Sequence, residues 1–326
     1  MPHTAPEVVC IGETMAMVAP LEPGPLESAP TLAVHAGGAE STVAMYLAGL
    51  GHRAGWVSRV GQDPLGRRVL REIAAAGADT SMVEVDATAP TGVYFKDPRP
   101  QGTTVYYYRR GSAASLMTES LLEPVLEQAP RLVHATGITP ALSAGCDRMI
   151  SWLLARARAV GTAISFDINY RPALWGVAEA SRRLLELARQ ADVVFVGLDE
   201  ARLLWGCETA EEFHRTVGPG PVAVVRDGAV GATVFEGEAS EFVPPPAVTV
   251  LEPVGAGDAF AAGWLSGYLR GLPHWQRLRL GHLVASASLT STADHQPLPP
   301  WPRLELLVQA GDREWRAAAS LLRGPA

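Results

Sequence analysis

The feature that most constrains this chain is an alternation. Short apolar runs of buried-strand length are each followed by a stretch whose apolar residues recur at helical spacing. Beyond residue 130, strands are expected at 131–136, 163–169, 192–196 and 222–226, with helices at 143–160, 179–189, 200–205 and 211–217. Upstream, Val8-Val9-Cys10-Ile11, closed by Gly12, reads as a buried strand, and the Gly37-Gly38 turn leads into a helix through Val43, Met45, Leu47 and Leu50. A strand at 54–60 and a helix at 64–76 follow. Downstream, a hairpin (232–235 with 241–243) leads to apolar helices at 259–270 and 275–290, then to one amphipathic helix at 303–322. Repeated strand–helix units bury themselves as a parallel sheet covered by helices on both faces.

Residues 81–110 interrupt the pattern with three strand-like runs, 83–85, 91–95 and 103–110, and no helix between them. Together with parts of 14–35 they are expected to form a small accessory sheet. No repeat or low-complexity linker divides the chain. The expectation is therefore one α/β domain over 1–326, a three-layer sandwich with a central mostly parallel sheet and a small β-sheet lid.

Composition excludes several functions. Of 27 Lys and Arg residues only Lys96 is a lysine, and it lies in no Walker A loop, protein-kinase strand or Schiff-base context. A net charge of −7 argues against a nucleic-acid footprint. Cys10, Cys146 and Cys207 are scattered, which suggests neither a disulfide framework nor a zinc site. No basic-then-apolar leader and no apolar run of about 18 residues is present, so a cytoplasmic enzyme without membrane association is expected.

The sharpest local signal is Gly255-Ala256-Gly257-Asp258-Ala259-Phe260-Ala261-Ala262-Gly263, entered from an extended run and leaving into an apolar helix. Gly255 and Gly257 let a ligand approach the backbone, and free N–H groups at a helix start favour an anion. Asp258 has two readings. It is a helix N-cap, which Asp favours, or a general base that takes the proton from an alcohol attacking a phosphoryl group.

This segment resembles the GAGDxFxxG signature of the ribokinase (PfkB-type) family of carbohydrate kinases. Gly37-Gly38-Ala39-Glu40 resembles that family's other signature, and the order of elements between the two matches over nearly the whole chain. Within the family, the 37–40 turn, Tyr106-Tyr107-Tyr108-Arg109-Arg110-Gly111-Ser112-Ala113, Asp167-Ile168-Asn169-Tyr170-Arg171 and Asp294-His295 are most similar to the kinases of 2-keto-3-deoxygluconate. The resemblance implies transfer of the γ-phosphoryl group of Mg·ATP to a primary hydroxyl, giving 2-keto-3-deoxy-6-phosphogluconate. Asp258 would then be the base, with Gly255, Ala256 and Gly257 as the anion hole.

Pleat alternation puts Tyr107 and Arg109 on one face of the lid strand. A guanidinium there can hold a carboxylate through two parallel bonds, which suits an acidic sugar. The competing reading is an ordinary lid strand with packed aromatics and solvated arginines. By resemblance, Gly37, Gly38, Ala39, Thr42, Tyr94 and Asp294 also line the sugar. Thr42 stands where many relatives have Asn. Asp167 and Asn169 share a face by alternation at a strand's carboxyl end, where open α/β sheets bind ligands. The resemblance sets Asn169 and Arg171 near the nucleotide phosphates and the sugar's reacting end, where Arg171 can neutralise developing phosphoryl charge. It sets Arg226, Gly228 and Gly231 in a nucleotide loop, Arg226 replacing a common Lys. The resemblance, through a family Asn-x-x-Glu that reads Gly197-Leu198-Asp199-Glu200 here, implies a water-mediated Mg²⁺ contact for Glu200, and helix N-terminal charge is the equal alternative. Glu252 replaces an Asp in a region linked to a monovalent cation. A homo-oligomer through the lid is expected. The alternatives are a kinase for a neutral sugar such as fructose or ribose, and a non-catalytic sugar- or nucleotide-binding regulator of the same fold.

Overall fold

A computed structural model describes residues 5–22, 24–99, 102–290 and 295–322. The first eight strands are β1 (Val8–Ile11), β2 (Met15–Pro20), β3 (Leu32–Gly37), β4 (Ala54–Val57), β5 (Arg59–Gly61), β6 (Glu84–Asp86), β7 (Val93–Arg99) and β8 (Gly102–Tyr108). The remainder are β9 (Leu132–Thr136), β10 (Ala163–Asp167), β11 (Val193–Gly197), β12 (Val222–Asp227), β13 (Gly231–Glu236) and β14 (Ala239–Val243). The central sheet has the order β14-β13-β12-β11-β10-β9-β1-β4. It is parallel from β4 through β12, and the β13–β14 hairpin closes one edge antiparallel.

The pleat sorts side chains into two cores. Val8 and Cys10 of β1, with Val193 and Phe195 of β11, face helices Ala39–Gly49, Ala256–Leu269 and His274–Leu289. Val9 and Ile11, with Val194 and Val196, face helices Ala144–Ala159, Val177–Ala188 and Leu198–Trp205. Strands buried on both faces read as unbroken apolar runs, which is why they are visible in the sequence. The sheet expected as the lid is separate, with the order β3-β2-β7-β8.

Several boundaries differ from expectation. The 54–60 run splits into β4 and β5. The strand expected at 83–85 is β6, which pairs with β5 in its own two-stranded sheet rather than joining the lid. Arg59 of β5 explains that pairing, since its guanidinium meets Glu84 at 3.2 Å and Asp86 at 2.9 Å. The single helix expected at 303–322 is two, Trp301–Gln309 and Asp312–Leu321, with Gly311 capping the second. The 163–169 strand stops at Asp167, so Asn169 lies in the following turn, and Arg109 lies beyond the end of β8.

Candidate active site

The carboxyl ends of β10, β11 and β12 meet the start of helix Ala256–Leu269. That helix is capped by Gly255 in the left-handed region (φ 88°), and Asp258 is its third residue. The N-cap reading of Asp258 is thereby overturned, because Gly255, free of a Cβ, takes the tight turn itself. The Asp258 carboxylate instead accepts a bond from Asn169 Nδ2 at 2.9 Å. Face-sharing by strand alternation does not explain this placement. Asn169 reaches Asp258 through a left-handed turn (φ 41°), which Asn tolerates better than most residues.

Arg226 lies beneath the turn. Its guanidinium grips both oxygens of Asp167 at 2.9 and 2.8 Å and donates to the Gly257 carbonyl at 2.9 Å. Burial works against that charge, but Asp167 and Glu200 outweigh it and hold Arg226 above the ordinary guanidinium range. Glu200 ties two strand ends together. One carboxylate oxygen accepts from Tyr170 N at 2.7 Å and the other from Gly197 N at 2.8 Å. Burial, with Asp167 adding to it, pushes the Glu200 carboxyl upward. Among the described residues no group of three or more His, Cys, Asp or Glu side chains forms a metal cage.

A cleft of about 1660 Å³ opens onto these groups. Asn169, Arg171, Glu200, Arg226, Gly228 and Gly231 line it together with Gly255, Ala256, Gly257 and Asp258, and Tyr107 and Val105 reach it from the lid. A single small ligand needs roughly 300–1,000 Å³, so two substrates fit. The other expected sugar contacts lie on the lid side. Tyr94 is buried, and a Cβ on Gly37 would fall 2.1 Å from its hydroxyl, so only glycine admits that side chain. The Tyr94 ring lies 5.6 Å from that of Tyr107. Gly38 and Ala39 open helix Ala39–Gly49, and the Thr42 side chain is buried within it. Glu252 is buried, its carboxylate accepting from Thr103 Oγ1 and Val254 N. Asp294 lies outside the described residues.

Arg109 stands where the pleat argument wanted it, beside Tyr107 (5.7 Å from the ring centroid), but for a different reason. An ion pair with buried Glu13 fixes it, with Nε donating to Oε2 at 2.7 Å. Sequence reasoning missed Glu13. Its signal was present as a lone acid between the apolar runs of β1 and β2. Nothing local marks Asp167 as the partner of Arg226, 59 residues away.

A family model described as pfkB family carbohydrate kinase matches residues 5–301. The chain is 36% identical to a 2-dehydro-3-deoxygluconokinase of Bacillus subtilis (strain 168), over 93% of this chain and 96% of that protein. It is 33% identical to one of Thermoproteus tenax, over 93% and 94%. A crystal structure of a PfkB protein from Polaromonas sp. JS666 superposes with a TM-score of 0.83 at 35% identity, covering 92% of this chain and 99% of that one. An uncharacterized sugar kinase from Pyrococcus horikoshii in complex with ATP superposes with a TM-score of 0.80 at 25% identity, covering 95% and 99%.

Proposed function

The chain belongs to the pfkB family of carbohydrate kinases, and on that premise we propose that it phosphorylates 2-dehydro-3-deoxygluconate (2-keto-3-deoxygluconate) with ATP. The carrying observation is Asp258 at a helix mouth, oriented by Asn169 and opening into the same cleft as the 255–257 turn and Tyr107. The names of the relatives support an acidic sugar, as does the Arg109 guanidinium held beside Tyr107 on the lid side.

Asp258 removes the proton from the primary hydroxyl as its oxygen attacks the γ-phosphorus. The bond between that phosphorus and the β,γ-bridging oxygen breaks, and its electron pair leaves with ADP. Ala256 N donates to the Pro253 carbonyl at 3.3 Å, so the N–H groups left without an intrahelical partner are those of Gly257 and Asp258, and these face developing negative charge. Arg171, on the cleft wall, adds a cation, and Arg226 keeps the turn rigid through the Gly257 carbonyl. Mg²⁺, bound with the nucleotide, would neutralise phosphoryl charge, and the residue present that fits it is Glu200. Glu200, each of whose oxygens already accepts a backbone N–H, suits a contact through water. The Glu252 carboxylate is engaged by Thr103 and Val254, so no step is assigned to a monovalent cation.

Tyr106 and Tyr108, exposed on edge strand β8, support self-association through the lid. Three buried free cysteines support a reducing, cytoplasmic setting. No helix among the described residues is long and apolar enough to cross a membrane.

The test is an ATP-consumption assay over keto-deoxy sugar acids, ketoses, pentoses and nucleosides. Preferred turnover of 2-dehydro-3-deoxygluconate is expected. A preference for a neutral sugar overturns the substrate assignment, and no turnover on any of them favours a binding protein.

A further inference from the structure

Glu13 sits between β1 and β2 with its side chain 1% exposed. Its Oε2 takes the side edge of Arg109, accepting from Nε at 2.7 Å and pairing with Nη2. Its Oε1 accepts from Ser112 Oγ. The carboxylate sits where a Cβ on Gly92 would lie 2.9 Å from Oε1, so glycine at 92 leaves it its place. Tyr107 stands over the guanidinium. A guanidinium has two edges that match a carboxylate, one through Nε and Nη2 and one through Nη1 and Nη2. Glu13 fills the first. The second keeps Nη1, which donates to none of the described residues, and the outer proton of Nη2.

We infer that Glu13 is a positioning residue for substrate selection, clamping Arg109 so that its Nη1/Nη2 edge is offered to the carboxylate of the sugar acid. The inference rests on the sugar-acid reading above and deepens it. An unclamped arginine swings over several rotamers, and ordering it on binding costs affinity. Glu13 removes that cost before the substrate arrives and leaves only the edge that accepts a planar anion. A neutral sugar draws no benefit from it.

The experiment measures steady-state kinetics with 2-keto-3-deoxygluconate and ATP for the wild type, Glu13→Gln, Arg109→Ala and the double variant. Glu13→Gln keeps the side chain's shape and removes its charge. It is expected to raise KM for the acid about tenfold, with kcat within about twofold and KM for ATP unchanged. Arg109→Ala is expected to raise the same KM further, and Glu13→Gln is expected to add less than about twofold in its background, because Glu13 acts through Arg109. A KM that stays level or falls in Glu13→Gln while Arg109→Ala raises it overturns the inference and leaves the sugar-acid reading standing. Independent, multiplicative effects also overturn it. A wild-type enzyme inactive on every keto-deoxy acid overturns both. Where Glu13→Gln fails to fold, Ser112→Ala, which frees Oε1 and loosens the clamp, must raise KM in the same direction, and an unchanged KM overturns the inference.

Discussion

Asn169 Nδ2 donates to the Asp258 carboxylate at 2.9 Å across 89 residues of sequence, from a backbone held at φ 41°. The bond crosses from the end of β10 to the first turn of helix Ala256–Leu269. It orients the carboxylate of the residue proposed as base, and the left-handed backbone at Asn169 delivers it.

Asp258→Asn is expected to lower kcat by about 10²–10⁴-fold, the range a positioned base contributes, while nucleotide affinity persists. Turnover and ATP binding by calorimetry check this together. Undiminished turnover would remove Asp258 from the mechanism.

Asn169→Asp would replace a donor by a second carboxylate against Asp258. Like charges at hydrogen-bond range disfavour ionisation, so the acid limb of the kcat profile should move to higher pH by about one unit or more. Asn169→Gly relaxes the backbone but loses the donor, and should lower kcat without that shift. Coincident profiles for the wild type and Asn169→Asp would show that the bond does not matter in the complex.

Arg226→Met leaves Asp167 buried without its ion-pair partner and also frees the Gly257 carbonyl. Losing one partner of a buried pair costs about 3–5 kcal/mol, whereas replacing both is far milder. Denaturant unfolding should therefore show Arg226→Met well below the Arg226→Met/Asp167→Leu double variant. Equal stabilities would mean the pair is solvated in solution.

Gly38→Ala is expected to disable the sugar side. Its Cβ would fall 2.5 Å from the Glu13 carbonyl oxygen and 2.8 Å from the Thr14 Cα, both backbone atoms that cannot retreat alone. A sugar KM and a melting temperature both matching wild type would show that the turn tolerates a side chain.

Acid should destabilise the fold through His282. Burial holds its imidazole down to about 4, from an ordinary 6.5. Nε2 lies 2.9 Å from the Val243 carbonyl, so the neutral ring serves as donor. Because the folded pKa is depressed, the unfolded chain takes up a proton between pH 6.5 and 4 that the folded chain refuses, and stability falls as pH drops through that window. His282 alone accounts for about 2 kcal/mol lost between pH 7 and pH 5. His134, lowered to about 3 by burial and by Arg226, acts in the same direction. Burial raises Glu40, which acts the opposite way, so the readout is the difference between the wild type and His282→Gln, whose acid loss should be smaller by that amount. Parallel pH profiles for the two would exclude His282.

The sequence by itself determined the layered architecture and the kinase motif. Val8 to Ile11 and Val193 to Val196 are apolar on both faces, a pattern that only a covered parallel sheet satisfies. Gly255 and Gly257 mark a turn suited to an anion through short-range geometry alone. Tertiary structure decided what each charged side chain does. Asp258 became a candidate base rather than a cap once Asn169 reached it. Arg226 became a buried support once Asp167 faced it, and Arg109 became a fixed fork once Glu13 closed on its side edge. Backbone conformation and apolar burial are written in neighbouring residues. Polar side-chain pairing joins groups about 60 to 100 positions apart, and its partners are chosen only when the sheet brings the strand ends together.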